Sequence, residues 1–245
     1  VFFSSYFFGI DIEKADNGDF DAHYWQQLLD LTRELGLREN WLQNFEASPT
    51  IPNAQRAIDL LGKINTVSAK FSAHKFVQSH LSWKIIIRVL RNWIKLISKS
   101  YSLDIKGSFI PAGMSVSLWP LLKNNWSLTM YGYVSIINLV WIELFDDVLK
   151  NMPYQAKGFF LCENQAWERA FIYAWRKHGH GQLIGVAHST VRFWDLRYFT
   201  DQRSRNRLGQ GEMPNADLIA LNGNAAISSY LNAGYKRELF VECEA

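Results

Sequence analysis

The sequence predicts an α/β fold with a parallel, Rossmann-like sheet, and three observations carry that prediction. Short apolar runs alternate with amphipathic helical stretches after Pro153. The chain opens on an apolar run that is itself followed by a helical pattern. Finally, 245 residues with 48% hydrophobic content suffice for a substantial core, in one large domain or two small ones.

The elements follow in chain order. Residues 1–12, "VFFSSYFFGIDI", read as a buried strand, and "EKADNGD" after it as a turn-rich loop. In "DAHYWQQLLDLTRELGL", Trp25, Leu28, Leu29, Leu31 and Leu35 are helically spaced, with Gly36 where a helix stops. "NWLQNFEASPTIPN" reads as a loop. The pattern is helical from 54 to 102, is interrupted by "SFIPAGMSVSLWP", and resumes from 121 to 149. The expected organisation is an α/β portion over 1–53, a helical insertion over 54–152, and a βαβ portion over 153–245. The ends suggest a fragment: Val1 is not an initiator Met, and a carboxyl-terminal domain is expected beyond Ala245.

Composition narrows the classes. A net charge of +3 is too weak to indicate a nucleic-acid binder. Ten Trp and 15% aromatic residues suit a large core, a membrane interface or a sugar-stacking surface alike. Cys162 and Cys243 sit in apolar strand-like runs, which fits buried thiols in a reducing compartment. The opening run lacks a basic flank and does not read as a signal peptide.

Two middle segments bear on membranes. In "SWKIIIRVLRNWIKLISKS", Lys84, Arg88, Arg91, Lys95 and Lys99 recur every three or four residues and form one helical stripe. Such a helix can lie on an anionic membrane surface, or pack as a core helix with a solvated basic face. The second is the default, because most amphipathic helices pack on their own domain. Residues 124–142 are uncharged and nearly long enough to span a bilayer, but polar residues dilute them, so a buried core helix is expected there.

The carboxyl-terminal portion carries the chemistry. "GFFLC", "QLIGVA", "DLIALN" and "ELFVECEA" read as four strands. Between the first two lies a helix with Trp167, Ala170, Phe171, Ala174 and Trp175 on one face. In a parallel sheet ligands bind beyond the carboxyl ends of the strands. Those ends carry Glu163, Asn164 and Gln165 after the first strand, with Glu168 one turn on. His188, Ser189 and Thr190 follow the second, and Asn222 and Gly223 the third. Each residue has an ordinary structural role open to it: Glu163 as a helix-start carboxylate, Glu168 as a surface ion partner, His188 as a hydrogen-bonded structural group. Their convergence on one edge favours a site. Arg192 and Arg197 in the next loop have the fork geometry that grips phosphate or carboxylate. No P-loop, no GxGxxG after a strand, no GxSxG elbow and no metal-ligand spacing around "HGHG" occurs.

Together "CENQAWERAFIYAWRKHGHGQLIGVAHSTVRFWDLRYF", "MPNADLIALNGNAAISSYLNAGY" and "VECEA" resemble bacterial surface-carbohydrate biosynthesis proteins of the O-antigen type. Those proteins are similar to two-domain glycosyltransferases of GT-B architecture, and "FFSSYF" with "YWQQLLDLTRELGLRENWLQNF" fits the same family. The resemblance implies a cytoplasmic enzyme at the inner membrane face. It would transfer a sugar from a nucleotide-activated donor to a growing O-antigen or capsule glycan, without a further cofactor, metal or nucleic acid. Glu163, Gln165, Glu168, His188 and Asn222 are the positions it carries over. The His-Pro pair of capsule Kdo and sialic-acid transferases is absent, since Ser189 follows His188, which argues against a CMP-sugar donor. The expected roles are Glu163 or His188 as base, assisted by Glu168. Asn164, Gln165, Ser189, Thr190, Arg192, Arg197, Asn222 and Gly223 would bind substrate, and a peripheral membrane contact, the alternative to a solvated basic face, would run through Lys84, Arg88, Arg91 and Lys95. The alternatives are a sugar-nucleotide epimerase or hydrolase on the same architecture, and a non-catalytic glycan-binding scaffold.

Overall fold

A computed structural model describes residues 1–103, 105–111, 113–187 and 213–243. Its centre is a seven-stranded parallel sheet in the order β3-β2-β1-β4-β5-β6-β7. The strands are β1 (Phe2–Tyr6), β2 (Glu39–Asn44), β3 (Ser72–Phe76), β4 (Lys157–Leu161), β5 (Gln182–Val186), β6 (Leu218–Leu221) and β7 (Phe240–Glu242). The α/β class with a Rossmann-like parallel sheet is therefore the fold. The helices are α1 (Ile12–Asp16), α2 (Gln26–Glu34), α3 (Ala54–Val67), α4 (Trp83–Ser100), α5 (Ile105–Ser108), α6 (Trp119–Met130), α7 (Tyr133–Lys150), α8 (Ala166–Lys177) and α9 (Asn224–Asn232).

Neighbouring residues of β1 serve opposite faces, because side chains alternate along a strand. Phe2 joins Leu42, Phe160, Leu183 and the α4, α7 and α8 residues Ile85, Phe145 and Trp175 in one core. Phe3 joins Trp41 with Leu29 of α2 and Leu60 of α3 in the other. The sheet is thus covered on both faces, which is why β4, β5 and β6 read as short apolar runs. Gly158 in β4 leaves room for Trp175: a Cβ there would lie 2.6 Å from the indole ring.

Three expectations are corrected. The first strand stops at Tyr6, since Phe7–Gly9 forms a 3₁₀ turn and Asp11 caps α1 by accepting from the Lys14 backbone N–H at 3.1 Å. Most of β2, an interior strand, lies in the supposed loop "NWLQNFEASPTIPN". Its amide side chains disguise it, but parallel partners on both sides hold its backbone. The expected all-helical stretch from 54 contains β3, where buried Ser72, His74 and Phe76 alternate with Ala73 and Lys75.

The long apolar stretch is two helices, α6 and α7, bent by 43° at the break containing Gly132. Among the described residues no single helix is long and apolar enough to cross a membrane, although this bent pair meets the test by length and composition. The buried core helix expected over 124–142 is corrected: within that stretch only Ser135 is buried, Ile136, Leu139, Val140, Trp141 and Ile142 pack partly buried against the core, and the buried Leu144, Phe145, Val148 and Leu149 of α7 lie beyond it. Of the two cysteines, Cys162 is buried and Cys243 is only half-buried; both are free thiols.

Candidate active site at the carboxyl edge

The strand order reverses direction between β1 and β4: β2 and β3 lie outward of β1, and β5 to β7 outward of β4. Connections leave in opposite directions there, which opens a crevice beyond the carboxyl ends. Register carries Cys162, Ala187 and Leu221 to one level across β4, β5 and β6. Backbone bonds fix it, with Cys162 donating to Val186 at 2.9 Å and Ala187 to Ala220 at 3.0 Å. Glu163, Asn164 and Gln165 consequently sit on the same edge as Asn222 and Gly223. They are separated by the width of β5, two strand spacings or about 10 Å. The geometry brings these five to one rim but does not make the two groups neighbours. His188, Ser189, Thr190, Arg192 and Arg197 lie outside the described residues.

Glu168 proves to be the organiser of the 163–165 loop. It is the third residue of α8, and its carboxylate reaches back over the helix start. Oε1 accepts from the backbone N–H of Glu163 at 2.8 Å and of Gln165 at 2.9 Å, while Oε2 accepts from Asn164 at 3.0 Å. The residue is buried, 2% exposed, so it is not an exposed ion partner, and its carboxylate holds the loop in shape. Burial pushes its carboxyl up to about 7, against the three N–H donors that favour the ionised form. Asn164, held by that carboxylate, has φ of 57°, the one described non-glycine residue in the left-handed region. Its Nδ2 is buried and lacks a protein partner.

Across the crevice stands Tyr6, the last residue of β1. Its hydroxyl accepts from Trp167 Nε1 at 2.7 Å, and the two rings meet edge to face. Burial first, and the charges of Glu163, Glu46 and Glu168 after it, push the phenol up to about 12. Tyr6 is therefore a neutral hydroxyl within reach of the field of these carboxylates. Beside it in register is Asn44, which closes β2, with Gln43 before it. Gln43 and Asn44 are 1% and 2% exposed, yet neither amide finds a protein partner for its oxygen or its nitrogen. Buried amides normally do, and a polar ligand supplies such partners.

Sequence reasoning missed Tyr6, Gln43, Asn44 and Glu46. The signal was present in "NWLQNFE", where a Trp-Leu pair precedes two amides and a carboxylate, the mark of a strand with a polar carboxyl end. Reading that stretch as a loop hid it. Gly223, with φ of 96°, opens α9, and its backbone faces the same rim as a helix start.

Among the described residues no group of three or more His, Cys, Asp or Glu is arranged to hold a metal. A cleft of about 290 Å³ lies at the opposite, amino edge, lined by Asp19, Phe20, Arg33, Leu37 and Glu39. Two of its polar groups are already engaged: Arg33 donates to the Phe20 carbonyl at 2.6 Å, and Glu39 accepts from Thr32 at 2.6 Å and Trp41 at 2.9 Å. Comparison with family models, curated proteins and solved structures gave no match.

Proposed function

We propose that this chain is the acceptor-side portion of a GT-B-like glycosyltransferase, moving a sugar from a nucleotide-activated donor to a bacterial surface glycan of the O-antigen or capsule type. The observation that supports it most is the crevice between β1 and β4. There the charges of Glu163 and Glu46 reach the neutral Tyr6 hydroxyl, and the buried, unpartnered amide of Asn44 lies beside Tyr6 in register, with that of Gln43 on the other face of the sheet. Carboxylates, amides and a phenol are the groups that hydrogen-bond sugar hydroxyls, and a rim carboxylate is a base for one of them.

In this reading Glu163 takes the proton of the acceptor hydroxyl as that oxygen bonds to the donor's anomeric carbon. The bond from that carbon to the leaving phosphate breaks through an oxocarbenium-like state. Arg192 and Arg197 are the sequence-based candidates to offset the phosphate's growing charge, together with the amides at the start of α9. His188 is the second base candidate from sequence. Asn164 and Gln165 position the acceptor and Asn222 the donor, with Ser189 and Thr190 as substrate-binding candidates from sequence.

Product analysis tests this. The full-length protein is incubated with uridine, guanosine and thymidine diphosphate sugars, with and without a lipid-linked glycan. The expected result is nucleotide release that requires the acceptor and yields an extended glycan. An epimerised or hydrolysed sugar formed without acceptor would assign the crevice to the alternative enzyme class. Glycan binding without turnover of any donor would make the chain a scaffold.

A further inference from the structure

Helix α4 has an apolar face broader than its buried contact, bordered by a basic stripe. Its inward row, Ile85 and Val89, is buried against α7 in the main core. Its second row holds Trp83, Ile87, Leu90 and Ile94, spaced i, i+4, i+7 and i+11 and therefore on one line of the helix. That row points outward: Trp83 is 79% exposed, Ile87 65% and Ile94 63%. On one side the basic stripe separates the two apolar rows, with Lys84, Arg91, Lys95 and Lys99 exposed and none in an ion pair with a described residue. On the other side the partly buried Ile86, Trp93 and Ile97 join the rows. Arg88 departs from the expected set: it turns inward to an ion pair with buried Glu143, which also accepts from Asn92 at 2.7 Å. Arg88 ties α4 to α7.

Folding has thus left unburied an apolar row that sequence alone could not separate from the core row. The charge around it is segregated as well. Residues 81–142 hold seven Lys or Arg against a single Asp, whereas the rest of the chain holds 19 Lys or Arg against 22 Asp or Glu. Exposed apolar side chains continue beyond α4 at Tyr101, Met114, Val116 and Leu121. Single exposed apolar residues are ordinary, but an aligned row bordered by unpaired cations is not.

We propose that α4 lies in the surface of an anionic lipid bilayer. Trp83, Ile87, Leu90 and Ile94 enter the interfacial layer, and Lys84, Arg91, Lys95 and Lys99 meet the lipid phosphates. Charge complementarity selects this occupant over a second copy of the chain, whose equivalent face would bring the same cations together. The proposal stands apart from the carboxyl-edge site and does not depend on its chemistry.

The experiment is co-sedimentation with vesicles of phosphatidylcholine alone, or with about a third phosphatidylglycerol, paired with light scattering for oligomeric state. The protein is expected to pellet with anionic vesicles only, and less so as salt rises. Each neutralised cation should weaken partition about fivefold, so the triple change Lys84→Ala, Arg91→Ala and Lys95→Ala weakens it on the order of a hundredfold. Ile87→Ser with Ile94→Ser should also release the protein, while Lys236→Ala on another element leaves partition unchanged. Circular dichroism confirms that each variant is folded. Absence of partition, equal partition to both vesicle types, or an unaffected triple variant overturns the proposal. So does a dimer in solution that Ile87→Ser and Ile94→Ser dissociate, because a second copy would then own this face.

Discussion

Glu163→Gln is expected to lower the rate of sugar transfer by about 10²–10⁴-fold, the range a positioned general base contributes. The amide matches the carboxylate in size but cannot accept the acceptor's proton. The substitution leaves the Glu163 backbone N–H in place, so its 2.8 Å bond to Glu168 survives and the loop keeps its shape. Stability should change by no more than about 0.5 kcal/mol, as for other changes that leave packing intact. Single-turnover rates of the folded variant, measured beside His188→Ala, decide the assignment. If both variants retain the full rate, neither residue is the base.

The second large effect belongs to Glu168. Glu168→Ala removes the acceptor of three backbone N–H groups at once. With about 1–3 kcal/mol lost for a donor left unsatisfied, and with water reaching some of them, roughly 3 kcal/mol of stability should go. The left-handed Asn164 is then no longer held, so binding at the rim should weaken too. Glu168→Gln isolates the proton. Burial raises this carboxyl from an ordinary 4.5 to about 7, so between those values the folded chain holds a proton that the unfolded chain has released. Its contribution to stability is therefore fully present below about pH 4.5 and is lost as pH rises to about 7. Urea melts of the parent chain across that window should show this slope, and Glu168→Gln should flatten it. An identical pH profile in the two proteins would show that the buried carboxyl does not titrate there.

Much of this was legible in the residues themselves. The βαβ rhythm after residue 153 reads directly, because β4, β5 and β6 are short apolar runs and α8 has a single clean apolar face. The polar tips after β4 and β6 were legible for the same reason, since a parallel sheet puts every strand's carboxyl end on one edge. What stayed hidden is the other half of the crevice. Asn40, Gln43 and Asn44 give β2 the composition of a loop, and only pairing with β1 and β3 makes it a strand. Residues such as Tyr6 and Asn44 become neighbours through a parallel register that local sequence does not encode. Glu168 was visible as a candidate but its role was not, since three backbone donors converge on it only after the loop bends back over α8. The outward row of α4 was equally unreadable, because Ile87 and Ile85 differ in nothing but the face each occupies.

The central claim is that ligand occupies the crevice between β1 and β4. Hydrogen–deuterium exchange on the full-length protein, with and without a nucleotide-sugar and a glycan acceptor, tests it most directly. Slower exchange at residues 6–9, 44–47 and 162–166 is the predicted result. Unchanged exchange there, with protection confined to the amino edge around Arg33 and Leu37, would contradict it.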